Sequence, residues 1–281
     1  MAMTPRHELA QAEKIGLLGD VHGDLRHVFA AISMLRAKGV SVIVQLGDFG
    51  FIWNHSQANL SLSRLEDHLN GRDQTMYFVD GNHENFHLLT ARPVSPDGIR
   101  WIRTNIAHLP RGYRTRIQGG RSLAVLGGAN SIDIAHRRRG FTWWEQEQIT
   151  QDDLNALGNE HAAVMLSHDA PMGVPTLDVR LRSGDKYWPP AAIEYAREGR
   201  KTFHRGFMQV RPQLSIGGHY HHFVDETVTY ESPDGSFTSR VVVLDQQGEH
   251  RGNCAILTTS TLNLEVFDVE GGPYQEGTRD D

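Results

Sequence analysis

The chain has 281 residues, 39% apolar and 22% charged, with a formal net charge of −6. These values exclude a disordered or collagen-like chain, and the negative charge argues against a nucleic-acid coat or a membrane-surface binder. At about 100–200 residues per domain, the length allows one large domain or two small ones.

No apolar run approaches the roughly 18 residues a membrane span needs. Residues Met1 to Glu13 lack the apolar stretch of a secretory signal. The single cysteine, Cys254, rules out an intramolecular disulfide framework. It fits a reducing compartment, so a cytoplasmic location is expected. Only four of the 28 basic residues are lysine, at Lys14, Lys38, Lys186 and Lys201. The 16 histidines say more, because imidazole is both a common metal ligand and an acid–base group.

In chain order, Lys14–Leu18 predicts a strand. Asp24–Lys38 follows as a helix, with Leu25, Val28, Phe29, Ile32 and Leu35 on one face. Val40–Leu46 predicts a second strand, Asn59–Leu69 a polar helix and Met76–Val79 a third strand. This βαβ order points to a mostly parallel sheet covered by helices. After residue 99, strands are expected at Ile99–Ile102, Tyr113–Ile117 and Ser122–Leu126. A helix is expected over Trp143–Leu157, then a strand at Ala162–Leu166 and a helix over Pro189–Phe203. From Gln213 onward the pattern is β: Gln213–Ile216, Phe223–Tyr230, Ser239–Leu244, Ala255–Thr259 and Leu262–Val269. No linker or internal repeat divides the chain. The expectation is one α/β domain over residues 1–281 holding two sheets face to face. Its core would span 14–269, with tails at 1–13 and 271–281.

Five strands end alike. They run into Gly19-Asp20-Val21-His22-Gly23, Gly47-Asp48-Phe49-Gly50, Asp80-Gly81-Asn82-His83-Glu84, Ser167-His168-Asp169 and Gly217-Gly218-His219-Tyr220-His221. Ligands of open α/β sheets bind beyond the carboxyl ends of strands, so these blocks are expected to gather on one rim of one sheet. Glycine lets the backbone turn sharply and pass close to a bound ion or phosphate.

These blocks resemble the five-block signature of the calcineurin-like metallophosphoesterases. The resemblance runs from residue 19 to 221. It implies an αββα sandwich, two mixed β-sheets flanked by helices, with a dinuclear metal centre at their edge. One metal would take Asp20, His22, Asp48 and His221; the second would take Asp48, Asn82, His168 and His219, with Asp48 bridging. His83 would face the substrate as the general acid, with Asn82 beside it.

Imidazole with carboxylate suits two borderline divalent ions, Mn foremost, with Fe, Zn, Co or Ni as alternatives. Two such cations less two Asp carboxylates leave a charge that a hydroxide and a phosphodiester monoanion cancel. The expected activity is therefore a phosphodiesterase whose partner is a small phosphate ester of nucleotide type, cyclic diesters included. Asp80, Glu84 and Asp169 are candidates to orient His83.

Phosphoprotein phosphatases follow their second block with an Asp-Arg pair. Here Phe49-Gly50-Phe51-Ile52-Trp53 follows Asp48, which counts against a protein phosphatase. Phe51 and Trp53 are either core or a ring-stacking surface. The segment from Gly127 to Trp144, with Arg137-Arg138-Arg139, is similar to one in bacterial and phage members. In it Arg137 is a candidate phosphate contact; the bland alternative is a solvated helix start with Trp143 and Trp144 in the core. A phosphomonoesterase is the main alternative activity. A non-catalytic scaffold is a weaker one, since every ligand of the signature is present, and so is a zinc amidohydrolase, against which the Gly81-Asn82-His83-Glu84 block argues.

Overall fold

The computed structural model describes residues 6–233, 235–249 and 252–269. The proposed C-terminal tail, 271–281, lies outside them, as do the first five residues of the N-terminal one.

Strands β1 (Lys14–Leu18), β2 (Val42–Leu46) and β3 (Thr75–Val79) alternate with helices α1 (Leu25–Ala37) and α2 (Ser56–Asn70). Short α3 (Phe86–Thr90), β4 (Arg100–Trp101), β5 (Ile106–His108), β6 (Arg114–Arg116) and β7 (Ser122–Leu126) come next. Then follow α4 (Gln151–Leu157), β8 (Val164–Ser167), α5 (Pro175–Gly184), α6 (Pro190–Val210) and β9 (Leu214–Gly217). The chain closes with β10 (Val224–Ser232), β11 (Gly235–Val243), β12 (Cys254–Thr258) and β13 (Asn263–Phe267).

The first sheet has the order β13-β12-β1-β2-β3-β5-β4, and the second β10-β11-β9-β8-β7-β6. β1, β2, β3 and β5 are parallel, with β4 and the β12–β13 pair antiparallel. In the second sheet β7, β8, β9 and β11 are parallel between antiparallel edges β6 and β10.

Side-chain alternation builds the layers, because successive strand residues face opposite ways. Ile15, Leu17, Val42, Val44 and Leu46 meet Leu123, Val125, Val164, Leu166 and Ile216 between the sheets. On the outer face of the first sheet Leu18, Ile43 and Phe78 pack against Val28, Ile32 and Leu35 of α1 and Leu65 of α2. On the outer face of the second, Leu126, Met165 and Val243 pack against Leu154 of α4 and Phe203 and Phe207 of α6. The result is the expected αββα sandwich of two mixed sheets.

Several expectations need correction. The stretch before β1 is no bare tail over its described part: Leu9 is buried in the inter-sheet core and Tyr77 donates to the His7 carbonyl. The helix expected over Trp143–Leu157 exists only from Gln151, where Thr150 and Asp153 form a capping box. The carbonyls of Gln146, Glu147 and Gln148 are instead taken by Arg111. Helix α6 runs past Phe203 to Val210, because Phe207 and Val210 continue its buried stripe. Helix α5 escaped the periodicity argument because it buries a single residue, Leu177.

Candidate metal centre

Blocks one to three follow β1, β2 and β3 of the first sheet, and blocks four and five follow β8 and β9 of the second. The expectation of one rim of one sheet is therefore corrected: the site lies where the carboxyl ends of both sheets meet. Gln45, buried between the first two turns, donates to the carbonyls of Gly19 and Gly47 and so ties them together.

The turns are strained. Seven non-glycine residues among the described ones have a positive φ, and four of them are His22, Asp48, His219 and His221. Such conformations cost about 1–3 kcal/mol each and persist where the surroundings impose them. Glycine is required where turns close on ligands. Gly47 has φ 99°, and a Cβ there would overlap the His168 ring; a Cβ at Gly218 would overlap Asp20.

Asp20, His22, Asp48 and His221 each offer one donor atom, and these atoms lie within 4.8 Å of one another. Asp20 Oδ2 is 3.1 Å from His221 Nε2, and His22 Nε2 is 3.2 Å from the same atom. The second carboxylate looks both ways. Asp48 Oδ2 is 3.9 Å from His22 Nδ1, while Oδ1 is 3.4 Å from His168 Nε2 and accepts the His83 amide at 2.7 Å. Beyond it, Asn82 Oδ1 is 2.9 Å from His168 Nε2, and the His219 ring centre is 4.9 Å from that of His168.

This donor set fits divalent cations. His168 donates its Nδ1 proton to the Leu46 carbonyl at 2.8 Å, leaving Nε2 facing two oxygens that only accept. Burial disfavours a charged ring, yet Asp48, Asp20 and the Leu46 carbonyl outweigh it and lift His168 to about 10. A metal ion held at Nε2 would take the place of that proton. Burial likewise pushes the Asp48 carboxyl up, and His168, His83 and His22 overcome it and hold it well below the carboxylate range. Burial, then His168, drives His219 well below 6.5, keeping its lone pair free. Burial and the Asp48 charge push Glu84 up to about 8, and Glu84 accepts the Phe49 amide at 2.7 Å.

The His83 ring stands at the mouth, 5.3 Å from the His22 ring centre. None of its three expected orienters contacts it. Asp80 is engaged by His108 and Arg111, Glu84 by Phe49, and Asp169 by Tyr220 and the Ala170 amide. The neighbour is Arg137, whose Nη2 lies against the ring. Arg137 donates from Nε to Asp133 at 2.9 Å and from Nη1 to the Asn82 carbonyl at 3.1 Å. Phe51 is core, packed on Phe49, while half-buried Trp53 and Trp144 pair at 5.8 Å on two neighbouring loops. Ser131, which accepts from Asn82, and Glu147, which accepts from Ser131, carry no sequence signal; a Ser and a Glu in polar loops give no pattern to read.

The family model for calcineurin-like phosphoesterases matches residues 13–223. No curated protein matches the chain. Among solved structures, the chain is similar to TT1561 of Thermus thermophilus at 13% identity and TM-score 0.51, covering 92% of this chain and 100% of that one. A dimetal phosphatase from Danio rerio aligns at 14% identity and TM-score 0.48, over 86% of this chain and 91% of that one. At such identity the Thermus structure supports the fold alone. The chain belongs to the calcineurin-like phosphoesterase family, and its family and donor cluster make it a phosphoric ester hydrolase that uses divalent metal ions. No helix among the described residues is long and apolar enough to cross a membrane.

Proposed function

We propose that this chain is a phosphodiesterase acting on small or nucleotide-type phosphodiesters at a two-metal centre, with Mn the preferred ion. The observation that carries the reading is the two-sided Asp48. One oxygen faces the group of Asp20, His22 and His221, and the other faces His168 and Asn82. Asp20, His22, Asp48 and His221 would hold one cation, and Asp48, Asn82, His168 and His219 the other. A bound pair supplies Lewis-acid polarisation of the phosphoryl group and an ionised water at neutral pH.

The protein's own groups do the rest. The His83 ring, at the mouth and hydrogen-bonded to no carboxylate among the described residues, would give a proton to the departing alkoxide, a contribution of roughly 10²–10⁴-fold. Arg137 commits Nε to Asp133 and Nη1 to the Asn82 carbonyl, leaving Nη2 beside His83 to contact a phosphoryl oxygen. Asp133 neutralises that guanidinium. The charge balance with two carboxylates and two divalent cations therefore still favours a diester monoanion.

A second reading, a phosphomonoesterase, is favoured by one observation: Arg137 reaches the site with Nη2 placed to donate to the further oxygen of a dianion. Protein phosphatase activity is disfavoured because the stretch after Asp48, Phe49-Gly50-Phe51-Ile52-Trp53, holds no arginine, and its Phe49 and Phe51 are buried in the core. The test is kcat/KM on bis-p-nitrophenyl phosphate against p-nitrophenyl phosphate, with Mn²⁺-reloaded protein and an Asp48→Asn control. A diester preference supports the reading. Turnover of the monoester alone favours the second, and no turnover of either above the control removes both.

A further inference from the structure

Glu147 is fully buried, with no metal block near it in sequence. Its Oε1 accepts the Ser131 amide at 2.8 Å and the Tyr195 hydroxyl of α6 at 2.9 Å. Its Oε2 accepts the Ser131 hydroxyl at 2.7 Å. Ser131 Oγ in turn lies 3.0 Å from Asn82 Nδ2.

The direction of this chain follows from the donors. A carboxylate only accepts, so the one hydroxyl proton of Ser131 is spent on Glu147. The hydroxyl oxygen is then an acceptor, and only the NH₂ side of the Asn82 amide can meet it. The amide is thereby fixed with its Oδ1 toward His168, 2.9 Å from Nε2. Turned the other way, it would point N–H bonds at a cation.

We infer that Glu147, acting through Ser131, is a positioning residue that fixes Asn82 with its oxygen toward the second metal position. The inference rests on the two-metal reading above. It also gives the segment between β7 and α4 a task besides carrying Arg137: it completes one of the two ion sites. Partners that orient a ligand in this way are typically worth about 10–100-fold in metal affinity.

The test is calorimetric titration of metal-stripped full-length protein with Mn²⁺. Wild type should bind two ions. In Glu147→Gln the side-chain amide can donate to Ser131, whose proton then favours the reversed Asn82 amide. One binding event should weaken about 10–100-fold while the other, at Asp20, His22 and His221, stays within about 3-fold. Ser131→Ala should have the same selective effect, and it serves if Glu147→Gln does not fold. A double-mutant cycle separates this from general loosening: with Asn82→Asp, which offers oxygen whichever way it turns, Glu147→Gln should cost no further affinity. Two binding events unchanged in Glu147→Gln or Ser131→Ala, or an equal loss at both sites, would overturn the inference. Fewer than two ions on wild type would instead overturn the two-metal reading, and this proposal with it.

Discussion

Arg137 lays its guanidinium against the ring of His83, 54 positions away in the chain. The contact joins the loop after β7 to the turn after β3. Asp133 holds the arginine at 2.9 Å with its side chain almost wholly enclosed, so the geometry is preset and not recruited by substrate.

Removing that cation should separate substrates. A charge-assisted hydrogen bond is worth about 1.5–3 kcal/mol, so Arg137→Ala should lower kcat/KM by roughly 10–100-fold on aryl phosphates. The loss should be larger for the dianionic monoester than for the diester. Steady-state kinetics on the two p-nitrophenyl substrates checks this, and equal losses would deny Arg137 a phosphate contact.

The proposed acid is tested through the leaving group. p-Nitrophenolate departs without protonation, whereas the alkoxide of a 2′,3′-cyclic nucleotide does not. His83→Ala should therefore lower kcat by about 10²–10⁴-fold on the cyclic nucleotide and by much less on bis-p-nitrophenyl phosphate. Equal losses would show that His83 binds or positions substrate and transfers no proton.

Gln45 should matter to stability far more than a polar residue on a strand usually does. Its amide satisfies carbonyls of two ligand-bearing turns and accepts the Gly47 amide at 3.3 Å. Gln45→Leu leaves buried backbone groups unpaired at about 1–3 kcal/mol. Urea unfolding of metal-stripped protein should show that loss, together with weaker Mn²⁺ binding.

His27, on α1, gives a pH dependence. It is 2% exposed, and burial, opposed by Asp24, lowers it from the ordinary 6.5. The folded state therefore takes up the proton at lower pH than the unfolded one, and stability falls as pH drops below 6.5. His27→Gln should flatten the decline in Tm between about pH 7.5 and 5.5 relative to wild type. An unchanged slope would remove His27 from the acid sensitivity.

Much of this was legible because it was local. Each of the five blocks sits immediately after an apolar strand, so residue type, glycine and strand end are read within a few positions. Lys14–Leu18 and Ser122–Leu126 appear with their predicted bounds. What could not be read were pairings across the chain. Arg137 with His83, Glu147 with Ser131, and Arg111 with three consecutive carbonyls depend on where loops cross, which periodicity does not encode. The same cause explains the helix wrongly expected over Trp143–Leu157. The composition allows a helix, but Arg111 takes the carbonyls a helix would use, and the buried Glu147 carboxylate holds the segment to Ser131. Three-residue β5 and helix α5 are too short or too exposed to leave a pattern.

The most direct test of the central claim is the anomalous difference map of Mn²⁺-loaded crystals measured at the manganese edge. Two peaks about 3.5–4 Å apart, with Asp48 between them, Asp20, His22 and His221 on one and Asn82, His168 and His219 on the other, are the predicted result. A single peak, or two peaks that do not share Asp48, would contradict it.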